Sequence, residues 1–161
     1  ANVILTGNQA AELYKESEIV VVESKTVGEC YAALSLADLS GDTDTVKQQI
    51  DLISGESLTA YVSTATRDTE AGGVTVRRGD YIGFARGEVL CDFKSRSEAA
   101  IELVERLNAD MYGLLIIFVG AAANEQEANE IAKAITAKYK YLEVVVREGG
   151  QPIYDYMLVF E

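Results

Sequence analysis

The chain contains no histidine. Without an imidazole, a hydroxyl nucleophile of the triad type lacks its usual base, and a zinc site would have to be built from carboxylates alone. Cys30 and Cys91 are the only cysteines, too few and too far apart for a disulfide framework or a paired-thiol metal site. Cations are scarce as well: 14 Lys and Arg face 26 Asp and Glu, a formal net charge of −12. A field of that sign repels phosphate backbones and anionic membranes, so nucleic acid is not an expected partner. No apolar run approaches the roughly 20 residues that cross a bilayer, and no membrane span is expected. The first residues, Ala-Asn-Val-Ile-Leu, carry neither Met nor a signal-peptide pattern, which predicts a cytoplasmic fragment of a longer chain.

What remains is ordinary for a packed protein. At 161 residues, 48% hydrophobic and 25% charged, the chain can bury a core and is not disordered. There is no Pro- or Ser-rich linker. Composition shifts at 54–57 and 107–110 are the only candidate boundaries, so the expectation is one domain over 1–161, divisible at most into lobes 1–109 and 110–161.

Apolar periodicity predicts an α/β fold. Residues 3–5 are a short apolar run before Thr6-Gly7, and Asn8 offers an N-cap for a helix carrying Ala10, Leu13 and Tyr14: strand, turn, helix. Residues 19–22 are β-branched, as in strands buried on both faces. Thr26 with Glu29 forms a capping-box pattern ahead of Cys30, Ala33, Leu34 and Ala37. Asp42 or Thr43 caps a third helix with Val46, Ile50 and Ile53 on one side and Gly55 as its stop. From Leu58 the pattern becomes a hairpin-rich middle: strands at 58–66, 74–77, 80–85 and 88–92, punctuated by Gly72-Gly73, Arg78-Gly79-Asp80 and Arg86-Gly87. Ser95 with Glu98 caps a helix, residues 114–119 form the most apolar strand, and Asn124 with Glu127 opens a helix with Ala128, Ile131, Ala132 and Ile135 in a stripe. A strand at 142–146 then completes a βαβ unit with a crossover between parallel neighbours, and a last strand spans 156–160.

Few residues here could carry chemistry. Thr6-Gly7-Asn8 and the turn at 119–124 each precede a helix, yet neither has the lysine of a phosphate-binding loop nor the three-glycine dinucleotide fingerprint, so both read as tight turns. Ser24, Lys25 and Thr26 place two hydroxyls and an ammonium at a helix start, a candidate anion site; with no paired base the hydroxyls are not argued to be nucleophiles. Arg67 and Asp68 follow a strand, one hairpin from Arg77, Arg78 and Asp80, and form a candidate charged cluster. The only proline, Pro152, fixes a turn after Gly149, Gly150 and Gln151. Tyr154 and Tyr156 flank Asp155, and in a strand both would lie on one face, where they could grip a partner. Covering the flank of the sheet is the competing use of those rings.

Several ordered segments then point the same way: Gly7-Asn8 with Gln9-Ala10-Ala11-Glu12, Val20-Val21-Val22-Glu23-Ser24-Lys25-Thr26, Arg67-Asp68-Thr69, Arg78-Gly79-Asp80-Tyr81-Ile82-Gly83, and Gly149-Gly150-Gln151-Pro152-Ile153-Tyr154. In these the chain resembles the C-terminal domain of the dihydroxyacetone-kinase-like ATP-binding subunit of bacterial fatty acid kinase. The closing segment also looks like the end of DegV-type proteins, which bind fatty acids and serve that kinase as carriers. The resemblance implies a DegV-like mixed sheet, a separate N-terminal domain holding ATP and magnesium, and no cofactor, catalytic residue or metal in this region. It implies as partners the fatty-acid-binding carrier and the rest of the kinase chain, with Arg67, Asp68, Gly149, Gly150, Gln151, Pro152, Tyr154 and Tyr156 as partner-binding residues. DegV-type proteins hold the acyl carboxylate with a histidine-containing loop after a Gly-Pro turn. Asp155 stands there instead, which implies kinship of fold with the lipid site lost. A lipid-binding module, and an enzyme using Ser24 and Thr26 or Arg67 and Asp68, are the alternatives.

Overall fold

The computed structural model describes residues 2–161. The chain divides into two compact units between Ser57 and Leu58. The 54–57 boundary coincides with this division, whereas 107–110 falls inside the second unit.

The first unit is helical. α1 (Asn2–Leu13), α2 (Val27–Leu36) and α3 (Thr43–Glu56) are its regular elements. The expected strand–turn–helix at 3–14 is instead one continuous helix, because a three-residue apolar run fits helix and strand equally and Gly7 does not break it. Gly7 is useful as a small residue: a Cβ there would lie 3.3 Å from a Val21 methyl. Residues 19–22, expected as an inner strand, lie in a segment with no regular secondary structure. The caps follow the expected chemistry. Thr26 accepts from Glu29 N at 3.1 Å, and Asp42, not Thr43, caps α3 by accepting from Thr45 N at 2.9 Å. α3 runs through Gly55 and ends at Ser57, which closes the last turn onto Ile53 O.

The second unit is a six-stranded mixed sheet with two helices against one face. The strands are β1 (Leu58–Thr64), β4 (Tyr81–Ala85), β5 (Glu88–Phe93), β6 (Leu114–Val119), β7 (Glu143–Glu148) and β8 (Tyr156–Phe160). Their order is β5-β4-β1-β8-β6-β7, and only β6 and β7 are parallel. A separate ribbon, β2 (Thr69–Ala71) with β3 (Val74–Val76), adds a strand that the sequence pattern had missed. Gly72-Gly73 and Arg86-Gly87 take positive φ throughout, the geometry of two-residue hairpin turns whose twist matches the strands. Arg78-Gly79-Asp80 is not such a turn. It connects β3 to β4 and is pinned to Ala65 by Gly79 N–H to Ala65 O and Ala65 N–H to Asp80 O, both 2.8 Å.

α4 (Arg96–Arg106) and α5 (Glu125–Lys138) start at Ser95 and Asn124, whose side chains accept from Glu98 N and Glu127 N. Alternation in the strands decides which side chains meet them. Leu58, Ala60 and Val62 of β1, Leu115, Ile117 and Val119 of β6, and Tyr156, Leu158 and Phe160 of β8 share the helix side. Against them pack Leu103 and Val104 of α4 and Ile131 and Ile135 of α5, all buried. Each such aliphatic side chain contributes about 1.5–3 kcal/mol, so this layer dominates the stability of the unit. The opposite face carries Tyr61, Ile82, Phe84, Ile116, Phe118 and Met157.

Candidate functional site

The segment between β7 and β8 is clamped by its own backbone. Gly149 N and Gly150 N both donate to Val119 O, at 3.0 and 2.9 Å, while Ala121 N donates to Gln151 O at 3.0 Å and Gly120 N to Asp155 O at 2.8 Å. Gln151 Nε2 donates to Phe118 O at 3.1 Å, and Ser63 Oγ to Ile153 O at 3.1 Å. The Gln151-Pro152 peptide is trans. Gly120 has no room for anything larger, since a Cβ would sit 2.0 Å from Tyr154 O. The glycines and proline predicted to form a corner therefore do so, and they build it by tying the loop to the ends of β6 and β1.

The corner sorts its two tyrosines to opposite sides. Tyr154 precedes β8 and packs tilted against Tyr61 and edge-on to Phe84, with ring centroids 4.4 and 5.9 Å away. Tyr156 is the first residue of β8, wholly buried on the helix side. The expectation that both rings share one gripping face is thus wrong: Tyr154 lies outside the strand, so simple alternation does not relate them. Tyr156 is a core residue, not a partner-binding one. Ile153, which precedes them, is 71% exposed and lies next to Tyr154 of the Tyr61–Phe84–Tyr154 cluster.

Asp155 is the other surprise. Its carboxylate is buried and takes a 2.8 Å hydrogen bond from Arg96 Nη1, which also donates to Ala122 O at 2.7 Å. Arg96 Nε reaches Glu127 Oε2 at 3.1 Å, and Ser97 Oγ donates to Glu127 Oε1 at 2.8 Å. The guanidinium lies over the rings of Tyr81 and Tyr156, 5.6 and 5.9 Å from their centroids. Burial disfavours its charge, but the Asp155 hydrogen bond and the Glu127 and Asp155 charges outweigh that and raise the Arg96 pKa. Burial, reinforced by Glu127, likewise pushes the Tyr156 phenol up, and its hydroxyl finds no acceptor in good geometry. The network ties the starts of α4 and α5 to the corner. The Asp155 carboxylate is therefore already paired with Arg96 inside the unit. Arg96 was missed because its partner is 59 residues away; Ser95, read only as a cap, was the nearest signal.

Of the remaining candidates, Asp68 and Thr26 make hydrogen bonds that hold local structure. Asp68 Oδ1 accepts from Arg78 N at 2.7 Å, fixing the ends of the β2–β3 ribbon, and Arg67 is exposed. At the start of α2 the Thr26 hydroxyl is the cap, and the Glu29 carboxylate accepts from Lys25 N. A carboxylate of the protein itself therefore already takes one of the backbone donors at this helix start. A cavity of about 280 Å³ opens where β6 and β7 end, beside the start of α5. Glu125 and Glu148 line it, and their charge opposes the phosphate that a helix N-terminus would otherwise attract. Among the described residues no group of three or more Asp, Glu or Cys is placed to hold a metal, and no helix is long and apolar enough to cross a membrane.

Over residues 1–161 the chain matches the FakA-like C-terminal family of fatty acid kinase. It is 27% identical over 163 residues to protein YloV of Bacillus subtilis, covering 100% of the chain and 29% of YloV. An uncharacterized protein of Staphylococcus epidermidis is 26% identical over 160 residues, with 99% of the chain and 29% of that protein covered. The chain thus spans under a third of the length of these curated relatives. Among solved structures it is similar to a DegV family protein from Thermus thermophilus, described for its fatty acid binding (TM-score 0.65, 10% identity, 100% of the chain and 67% of that one). It is also similar to a DegV family protein from Ruminococcus gnavus with vaccenic acid (TM-score 0.60, 17% identity, 98% and 65%). At such identities the likeness is one of fold, and the fold is DegV-like.

Proposed function

The chain belongs to the FakA-like C-terminal family of fatty acid kinase, and on that premise we propose that it is a non-catalytic docking domain of a cytoplasmic fatty acid kinase. It holds the fatty-acid-loaded carrier while an ATP- and magnesium-binding domain elsewhere in the longer polypeptide phosphorylates the acyl carboxylate. The observation that carries this reading is the corner: a backbone-clamped loop that raises Ile153, 71% exposed, next to Tyr154, whose ring meets the stacked pair Tyr61–Phe84. A rigid apolar ledge loses little conformational entropy when a partner covers it, and aromatic anchors at its centre give much of the affinity of a small interface. Gly149, Gly150, Gln151 and Pro152 act by fixing the ledge.

The test is calorimetric titration of the full-length kinase polypeptide with acyl-loaded carrier. Ile153→Asp should weaken binding at least tenfold, about 1.4 kcal/mol, with the fold intact by circular dichroism. Unchanged affinity, or no association of the parent protein, would overturn the proposal.

A second reading, a lipid-binding module, is favoured by the likeness to DegV structures described with fatty acids. Mass spectrometry of the protein purified under native conditions decides it: a co-purified fatty acid in stoichiometric amount supports this reading.

A further inference from the structure

The first unit leaves much of its apolar surface bare. Val3, Leu5, Leu13, Val27, Leu34 and Leu36 are each between 57% and 85% exposed. α1 is the extreme case, with no buried residue and Glu12 as its only charged side chain. A helix with one charged side chain and only a half-buried strip at Ile4, Gly7 and Ala11 has little of the packing that stabilises a surface helix, and a partner laid against it would supply more. Scattered exposed leucines need no explanation, but a helix as apolar as α1 with no buried residue marks an interaction surface.

We propose that this surface docks the stretch of the same polypeptide that immediately precedes residue 1. Two observations choose that occupant. The matched family is described as C-terminal, and the chain covers 29% of YloV and of the Staphylococcus epidermidis relative, so in such proteins most of the polypeptide precedes α1. A directly joined segment sees α1 at the millimolar effective concentration of a short tether, an advantage that a second copy or a free protein lacks. Charge adds a requirement: the unit's only Lys or Arg residues are Lys15, Lys25 and Lys47 among many carboxylates, so the docked segment carries apolar residues flanked by Lys or Arg. A groove of about 280 Å³ between the 19–22 segment and α3, lined by Val20, Val22, Leu39 and Ile50, is the receiving point on the unit. The inference is independent of carrier docking and survives its failure.

The experiment places a photoreactive phenylalanine analogue at Leu13 or Leu34 of the full-length protein, in an equal mixture of light and ¹⁵N-labelled copies. Mass spectrometry of the cross-links should show residues preceding position 1, in light–light and heavy–heavy pairs only. Mixed pairs would mean that a second copy covers the surface, capture of residues 58–161 would mean that the other unit does, and no capture would mean that it stays bare; each result overturns the proposal. As a second readout, Leu13→Asp should raise the amide exchange rate of α1 about tenfold without changing that of residues 58–161.

Discussion

Gly120→Ala isolates the corner as a structural device. The added methyl carbon would lie 2.0 Å from Tyr154 O, 3.0 Å from Asp155 O and 3.1 Å from Gln151 O. All three are backbone atoms, so no rotamer change relieves the clash. The 151–155 loop must retreat by about 1 Å or more before the closest pair reaches ordinary contact. A shift of that size stretches the 2.8 Å bond from Gly120 N to Asp155 O and the 3.0 Å bond from Ala121 N to Gln151 O beyond useful length. Leaving such buried groups unpaired costs about 1–3 kcal/mol each, for a total of about 3 kcal/mol. At about 4 °C per kcal/mol for a unit of this size, the melting midpoint should fall by about 12 °C. Thermal unfolding by circular dichroism measures this, and hydrogen exchange at β1, β6 and β8 assigns the loss to the second unit. Gly113→Ala is the control: no atom lies within 4 Å of its Cβ position and its φ is not positive. A Gly120→Ala midpoint unchanged from the parent would refute the claim that close packing, and not turn flexibility, requires glycine there.

The buried network gives a second expectation. Arg96→Ala leaves the Asp155 carboxylate, whose side chain is 6% exposed, without its cation, and should cost about 3–5 kcal/mol in urea unfolding. Adding Asp155→Asn should recover part of that loss, and strict additivity would show the pair to be uncoupled. The thiols should differ: Cys30 is exposed, while burial pushes the Cys91 thiol up to about 11. In mildly alkaline buffer a chromogenic thiol reagent should titrate Cys30 at once and Cys91 only on unfolding; equal rates in the native protein would contradict the burial. Because the Cys91 pKa is raised on folding, its stabilising contribution is complete below the ordinary thiol pKa and disappears as pH rises through about 11. Cys91→Val should remove that part of the alkaline destabilisation seen in pH-dependent melting. Thr26→Ala, which deletes the cap of α2, should cost about 1 kcal/mol.

Much of the second unit was legible in the sequence, and the reason is locality. Ser95 with Glu98 and Asn124 with Glu127 are cap and N3 positions three residues apart, so sequence alone brings them together. The glycines of Gly72-Gly73 and Arg86-Gly87 announce their hairpins because few residues other than glycine readily accept positive φ. The stripe of Ala128, Ile131 and Ile135 and the apolar strand 114–119 declare the βαβ crossover by period. The same reasoning failed at residues 3–5 and 19–22, where short apolar runs carry no period that separates helix from strand.

The candidate site itself needed the fold. Whether Tyr154 and Tyr156 share a face depends on where β8 begins, and that start is set by pairing with β1 and β6, far away in sequence. Asp155 seemed a bare charge until Arg96 met it across two elements. Sequence decided most of the elements, their caps and their tight turns, because those rest on contacts within a few residues. Strand order, the burial of Tyr156 and the exposed ledge at Ile153 were decided by tertiary structure alone, because each depends on which distant backbone supplies the next hydrogen bond.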